Sequence, residues 1–164
     1  MALDLNELFL AQSKLDEAIA KNHNISYQTT RNKRILALLV EIGEFANATR
    51  CFKYWSNKGS DAKERVLDEY ADGLHFFLSL GVDIQTDKKI YHLNKNKCSN
   101  LTDQILLVYR KIAIFLAKQD DNSYKKAFQA FLNIIPLLNV RFITIKKAYF
   151  KKLEENYQRQ KNNY

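Results

Sequence analysis

The segment ILALLVEIGEFANA, residues 35–48, determines the fold that this sequence predicts. If the segment is helical, apolar side chains surround it on nearly every side, which is typical of a helix at the centre of a bundle. The chain contains only 1 Pro and 4 Gly in 164 residues, and this scarcity of helix-breaking residues favours helices throughout. We therefore expect a central, buried helix over residues 35–52.

Apolar periodicity predicts further helices around this one. In chain order they cover residues 3–20, 61–80, 101–118, 124–135 and 140–159, with polar loops at 22–30 and 55–60 and an unassigned segment at 83–100. Asp61 and Glu64 resemble a capping box at the start of the third helix, and Gly81 is a candidate stop after it. The sequence thus predicts an all-α fold, a helical bundle of about six helices forming a single domain over residues 1–164.

Two acidic motifs lie in the most apolar helices, ExxE at Glu41–Glu44 and ExxD at Glu69–Asp72. A spacing of three places both carboxylates of a motif on one side of its helix. If the two helices are antiparallel neighbours, four carboxylates converge, and their repulsion requires protonation or a bound cation. Oxygen ligands without thiolates favour Mg²⁺, with Mn²⁺ as a substitute. The alternative is two solvated helix faces, but the apolar surroundings favour a metal-carboxylate site in a four-helix core.

Three other residues in these helices leave alternatives open. Gly43 and Gly73 predict close approach by a neighbouring helix or by a ligand. His75 follows Asp72 by three residues, as in di-iron bundles, but those need a second acid-x-x-His motif, and the ExxE motif is followed by Asn47 at the matching position. Iron is therefore not expected, and His75 is either a polar group near a substrate or a satisfied core histidine.

The charge distribution suggests a polyanionic ligand. Lys and Arg number 26 against 18 Asp and Glu, a formal net charge of +8, and the basic excess is concentrated after residue 141. Lys152, Asn156 and Arg159 would share one helix face and could hold a polyphosphate; the alternative is a solvated basic helix end. A nucleic-acid-binding or phage regulatory protein is a different explanation of the charge. That explanation does not account for carboxylates in apolar surroundings, so nucleic acid is not the expected partner.

The loop CFKYWS at residues 51–56 joins the two acidic helices. Its rings could stack on a base and Lys53 could meet a phosphate, or Phe52 and Trp55 could close the end of the core.

No apolar run approaches 18 residues, so no membrane partner is expected. The two cysteines form no CxxC motif, which favours a cytoplasmic protein with reduced thiols.

Taken together, these segments resemble the dimeric, all-α dUTPases, a branch of the all-α NTP pyrophosphatases. The resemblance is carried by ILALLVEIGEFANATRCFKYWS at 35–56, LDEYADGLHFFLSLG at 67–81 and AYFKKLEENYQRQ at 148–160. The family signature is ExxE followed by ExxD, and here 24 residues separate Glu44 from Glu69. The resemblance covers residues 8–81 and 146–164. Over residues 83–140 only the predicted helices match the family.

The resemblance implies an Mg²⁺-dependent homodimer that hydrolyses dUTP, with dUDP as a further substrate, to dUMP. Glu41, Glu44, Glu69 and Asp72 would hold Mg²⁺, and Glu41 or Glu44, more readily Glu41, would orient the attacking water. The implied substrate-binding residues are Gln12, Asp16, Lys53, Trp55, His75, Phe76, Lys152, Asn156, Arg159 and Tyr164. Asn156 would read the uracil edge, while a mobile C-terminal tail, residues 146–164, would close over the phosphates. A related pyrophosphatase for dCTP or a noncanonical nucleotide is the alternative enzyme, because the acidic motifs are shared.

Overall fold

The computed structural model of the protein describes residues 2–94, 98 and 100–162. It confirms the all-α prediction. The helices are α1 (Asn6–His23), α2 (Tyr27–Thr49), α3 (Lys63–Asp83), α4 (Leu101–Lys118), α5 (Asp121–Leu132) and α6 (Phe142–Lys161), with a short 3-10 helix at Ile135–Leu138. Two strands, β1 (Ala2–Asp4) and β2 (Ile90–His92), pair antiparallel, with Leu3 opposite Tyr91. Both of these residues are buried, but strands of three residues are too short to leave a pattern in the sequence.

Helix α2 begins eight residues earlier than the sequence predicts. Ser26 caps it, because its hydroxyl accepts a hydrogen bond from the Thr29 amide while the Thr29 hydroxyl accepts one from the Ser26 amide. Asn24, at φ 51°, ends α1 in the left-handed conformation. The predicted loop over 22–30 is therefore wrong, since only residues 24–26 separate the two helices.

Both predicted boundaries of α3 are also wrong. Its first residue follows Ala62 without a side-chain cap, because the Asp61 carboxylate instead accepts a hydrogen bond of 3.0 Å from Arg50. At the other end the helix continues through Gly81. Gly81 lies inside the helix, and Tyr124 and Phe9 pack against its backbone, so that a Cβ would lie only 2.8 Å from the Phe9 ring. Gly81 is therefore needed for close packing and does not stop the helix.

The C-terminal helices differ from prediction by a few residues. Asp120 caps α5, its carboxylate accepting a hydrogen bond of 2.7 Å from the Ser123 amide, so the helix starts before the predicted residue 124. Pro136 lies inside the 3-10 helix, after α5 has already ended. Among the described residues, no single helix is long and apolar enough to cross a membrane; only together, across a bend of 114°, do Asp121–Leu138 and Phe142–Lys161 meet those criteria.

The most buried helix is α3, and not α2 as the sequence suggests. Helices α1, α2 and α6 all pack against α3. Within the single chain α2 buries one face, whereas Leu36 and Val40 on the other are 62% and 50% exposed. The prediction that this helix is covered on all sides is therefore wrong for the isolated chain.

A charged clamp aligns the start of α2 with the end of α3. Asp83 is almost fully buried and accepts hydrogen bonds from Arg31 at 2.6 Å and Arg34 at 2.7 Å. Burial alone would raise the pKa of Asp83, but these hydrogen bonds outweigh it and hold the pKa below its usual value. The clamp sets the antiparallel register in which the two acidic motifs face each other.

Candidate active site

A cavity of about 630 Å³ opens between α1, α2, α3 and α6. Its size suits a nucleotide-sized ligand. Six of the predicted substrate-binding residues line it, namely Gln12, Asp16, His75, Phe76, Asn156 and Arg159. Glu41 and Asp72 line the same cavity, so the carboxylates and the predicted substrate contacts share one space.

Three of the four predicted metal-binding carboxylates converge. Glu41 from α2 and Glu69 and Asp72 from α3 each present an oxygen, and these atoms lie within 4.8 Å of one another. Glu69 is buried, whereas Glu41 and Asp72 are half-buried. Glu44 is exposed and lies outside this group. These oxygens are the hard ligands that Mg²⁺ or Mn²⁺ prefers, so the donor set fits such an ion.

The electrostatics of the carboxylate group also fit a cation. Burial, followed by the charges of Asp72, Glu44 and Glu69, raises the pKa of Glu41 to about 7. Burial is likewise the main cause that raises the pKa of Glu69 and of Asp72. A bound positive ion would stabilise the ionised form of these three carboxyls and so counteract the rise in their pKa values.

Two cations of the chain already contact these carboxylates. The Lys152 ammonium lies 3.0 Å from Asp72, and the Arg65 guanidinium forms an ion pair with Glu69. Lys152 is buried against the carboxylates and does not line the cavity. Sequence reasoning overlooked Arg65, although its i,i+4 spacing from Glu69 is a recognisable signal.

A chain of hydrogen bonds forms one wall of the cavity. His75 Nδ1 lies 2.7 Å from Gln12 Oε1, and the Gln12 amide nitrogen donates to Asp16 at 2.8 Å. Tyr27 donates to the other Asp16 oxygen at 3.1 Å. The His75 ring stacks on Tyr149 with a centroid separation of 4.1 Å. His75 is thus both a satisfied buried residue and a residue that lines the cavity.

Protonation in this chain follows from burial. Burial lowers the pKa of His75 to about 4, so the imidazole is neutral at neutral pH. Burial is also the largest influence on Asp16, and it raises the pKa of this carboxyl against hydrogen bonds from Gln12, Ser79 and Tyr27. The wall therefore offers both donors and acceptors without a full positive charge on the imidazole.

The aromatic loop does not reach the cavity. Tyr54 is 94% exposed and Trp55 65% exposed, and neither Trp55 nor Lys53 is among the lining residues. Phe52 is also exposed, so the loop does not close the end of the core either. Tyr164, the last predicted substrate-binding residue, lies outside the described residues.

Several lining residues were not anticipated from the sequence. Tyr27, Lys33 and Arg34 contribute to the wall from the first turns of α2, a region that sequence reasoning treated as a loop or left without a role. The Ser26-x-x-Thr29 cap could have revealed the helix start. A Cβ on Gly43 or Gly73 would lie 3.3 Å from a side chain of α4 or α5, so helix packing accounts for both glycines.

Comparison with known proteins supports the predicted resemblance. The family model for dUTPase matches residues 4–164, essentially the whole chain. No match was found among the curated proteins. The matched range contains all six α-helices and every cavity and carboxylate residue described above.

We expect Glu41→Gln to reduce a pH-dependent loss of stability in metal-free protein, to which Glu69 and Asp72 also contribute. The pKa of Glu41 rises from an ordinary value of 4.5 to about 7 in the folded chain. The folded state therefore binds more protons between these values, and the free energy of unfolding should fall as pH rises through that window. Solvent screening of this half-exposed group limits the loss to about 1–2 kcal/mol. Denaturant titrations in chelator, from about pH 4 to pH 8, measure it.

Glu64→Gln is the matched control, because Glu64 is exposed at the start of α3 and belongs to no carboxylate group. Its pH dependence should follow the wild type. A free energy of unfolding in the wild type that stays constant across the window would show that Glu41 titrates normally.

Proposed function

The chain belongs to the dUTPase family, and from this premise we propose that it hydrolyses dUTP, and also dUDP, releasing dUMP, with pyrophosphate as the second product from dUTP. The observation that carries the proposal is the convergence of Glu41, Glu69 and Asp72 at a cavity of nucleotide size. We propose further that residues 1–164 act as one nucleotide pyrophosphatase domain.

The carboxylates are proposed to hold Mg²⁺, which Mn²⁺ can replace. Glu41, Glu69 and Asp72 would form the group, and Glu44, whose charge acts on Glu41 and Glu69, would complete it. A bound Mg²⁺ would neutralise phosphate charge and help to activate water. Of the ExxE pair, Glu41 lines the cavity and Glu44 is exposed, which supports Glu41 as the residue that orients the attacking water.

The polar wall is proposed to receive the uracil base. Gln12, Asp16 and His75 present a connected set of donors and acceptors, and the Phe76 ring lies beside them on the cavity surface. Asn156 enters from α6, and its amide both donates and accepts, which allows it to distinguish uracil from cytosine.

The basic residues of α6 are proposed to bind the phosphates. Arg159 lines the cavity and Lys152 lies beside the carboxylates, so both are near the expected position of the polyphosphate. The tail is proposed to tighten over bound nucleotide, because it carries a net positive charge that attracts a polyanion.

A homodimer is the proposed assembly. Helix α2 exposes Leu36 and Val40, one turn apart, and the neighbouring helix α4 exposes Leu106. Such apolar surface is typical of an interface. Sedimentation at micromolar concentration should give twice the chain mass of 19.2 kDa, and Val40→Lys should give the monomer. A wild-type species of single-chain mass would exclude the dimer.

Asp72→Asn should abolish dUTP turnover while the helical circular-dichroism spectrum is kept, because one metal-binding carboxylate is lost. Glu44→Gln should act in the same direction. Asp68→Asn is the matched control, since Asp68 lies on the same helix but pairs with Lys151 outside the carboxylate group. Pyrophosphate release measured over a nucleotide panel tests the substrate at the same time. Near-normal turnover by Asp72→Asn, or a preference for dCTP over dUTP, would refute the proposal.

Asn156→Ala and Arg159→Ala should separate base recognition from phosphate binding. Loss of the Asn156 amide should reduce the ratio of kcat/KM for dUTP over dCTP by about 10-fold or more, since a base-edge partner is removed. Loss of the Arg159 guanidinium should weaken both triphosphates alike. Steady-state kinetics on the two nucleotides decide the matter, and an unchanged ratio in Asn156→Ala would assign base reading to other residues.

A further inference from the structure

The carboxylate group of the metal-free chain is partly neutralised from within. Arg65, four residues before Glu69 on α3, pairs with its carboxylate, and Lys152 from α6 pairs with Asp72 at 3.0 Å. The Glu69 side chain is 3% exposed, whereas that of Arg65 is 60% exposed. Arg65 therefore reaches from solvent to a buried carboxylate, and no second ion pair holds its guanidinium among the described residues.

The two cations contact carboxylates that are proposed to hold the metal. An ion close to Glu69 and Asp72 would share their oxygens with the guanidinium and the ammonium, and like charges at such short range repel each other. Binding of metal alone must therefore displace these cations into water. A metal that arrives with a triphosphate differs, because the phosphates offer new anionic partners to the released cations.

We infer that Arg65 and Lys152 are built-in counter-ions that compete with the metal, so that metal binds the free protein weakly and binds tightly only together with nucleotide. The inference rests on the proposed function and adds a coupling between the two ligands. By thermodynamic linkage, nucleotide and metal raise each other's affinity by the same factor. Arg65 is a positioning residue in this scheme, because it acts through Glu69.

Arg65→Gln tests the competition. Calorimetric titration of Mg²⁺ into metal-free protein, with and without a nonhydrolysable dUTP analogue, measures both affinity and coupling. Burial raises the pKa of Glu69, so the titrations are run at about pH 8 to favour its ionised form. Without nucleotide we expect the variant to bind Mg²⁺ about fivefold more tightly than the wild type, and the ratio of the affinities with and without the analogue to fall by a similar factor.

Lys151→Gln is the matched control. Lys151 is 62% exposed and pairs with Asp68 outside the carboxylate group. Its substitution by Gln removes one positive charge, as Arg65→Gln does. Its Mg²⁺ affinity should stay within about twofold of the wild type. Arg65→Lys retains the positive charge and should keep most of the competition.

The outcomes separate this inference from the proposed function. Tighter binding confined to Arg65→Gln supports the counter-ion role. Equal Mg²⁺ affinities in the wild type and Arg65→Gln, with normal binding in all variants, would overturn the inference and leave the metal site in place. Absence of Mg²⁺ binding from every variant, with and without the analogue, would overturn both.

Discussion

The repulsion among three carboxylates in an apolar helix pair is the constraint on which the other features of this molecule depend. Glu41, Glu69 and Asp72 are held within 4.8 Å of one another by the packing of α2 on α3, and burial raises the pKa of each. Such an arrangement is stable only where a carboxyl group is protonated or positive charge is supplied. Arg65 and Lys152 supply part of it, and the proposed metal would supply the rest.

The opposite end of the same helix pair shows the reverse balance of charge. There the buried carboxylate of Asp83 forms ion pairs with two arginines, Arg31 and Arg34, so this end carries an excess of positive charge. This end needs no further cation, and its hydrogen bonds fix the register of the two helices. The cavity lies between the clamp and the carboxylate group, with Arg34 lining it at one end and Glu41 and Asp72 at the other.

The cavity brings together a carboxylate group and a polar hydrogen-bonded wall, because four helices contribute to it. The carboxylates come from α2 and α3, whereas the polar wall extends through Gln12 and Asp16 of α1 to His75 of α3. Helix α6 links both parts, since Tyr149 stacks on His75 and Lys152 reaches Asp72. If these parts bind base and phosphates as proposed, both steps would depend on the docking of helix α6.

The sequence by itself determined the fold class, the family and the acidic motifs, because helical periodicity and i,i+3 spacing are local properties; α4 was predicted with its observed limits. Only tertiary structure decided which carboxylates converge. Residues three apart lie about 60° apart around a helix, and the packing of α2 on α3 turns Glu41 toward α3 while Glu44 stays exposed. The burial of α3, the tight site at Gly81 and the pairing of β1 with β2 likewise arise from contacts between distant segments, which periodicity along the chain does not record.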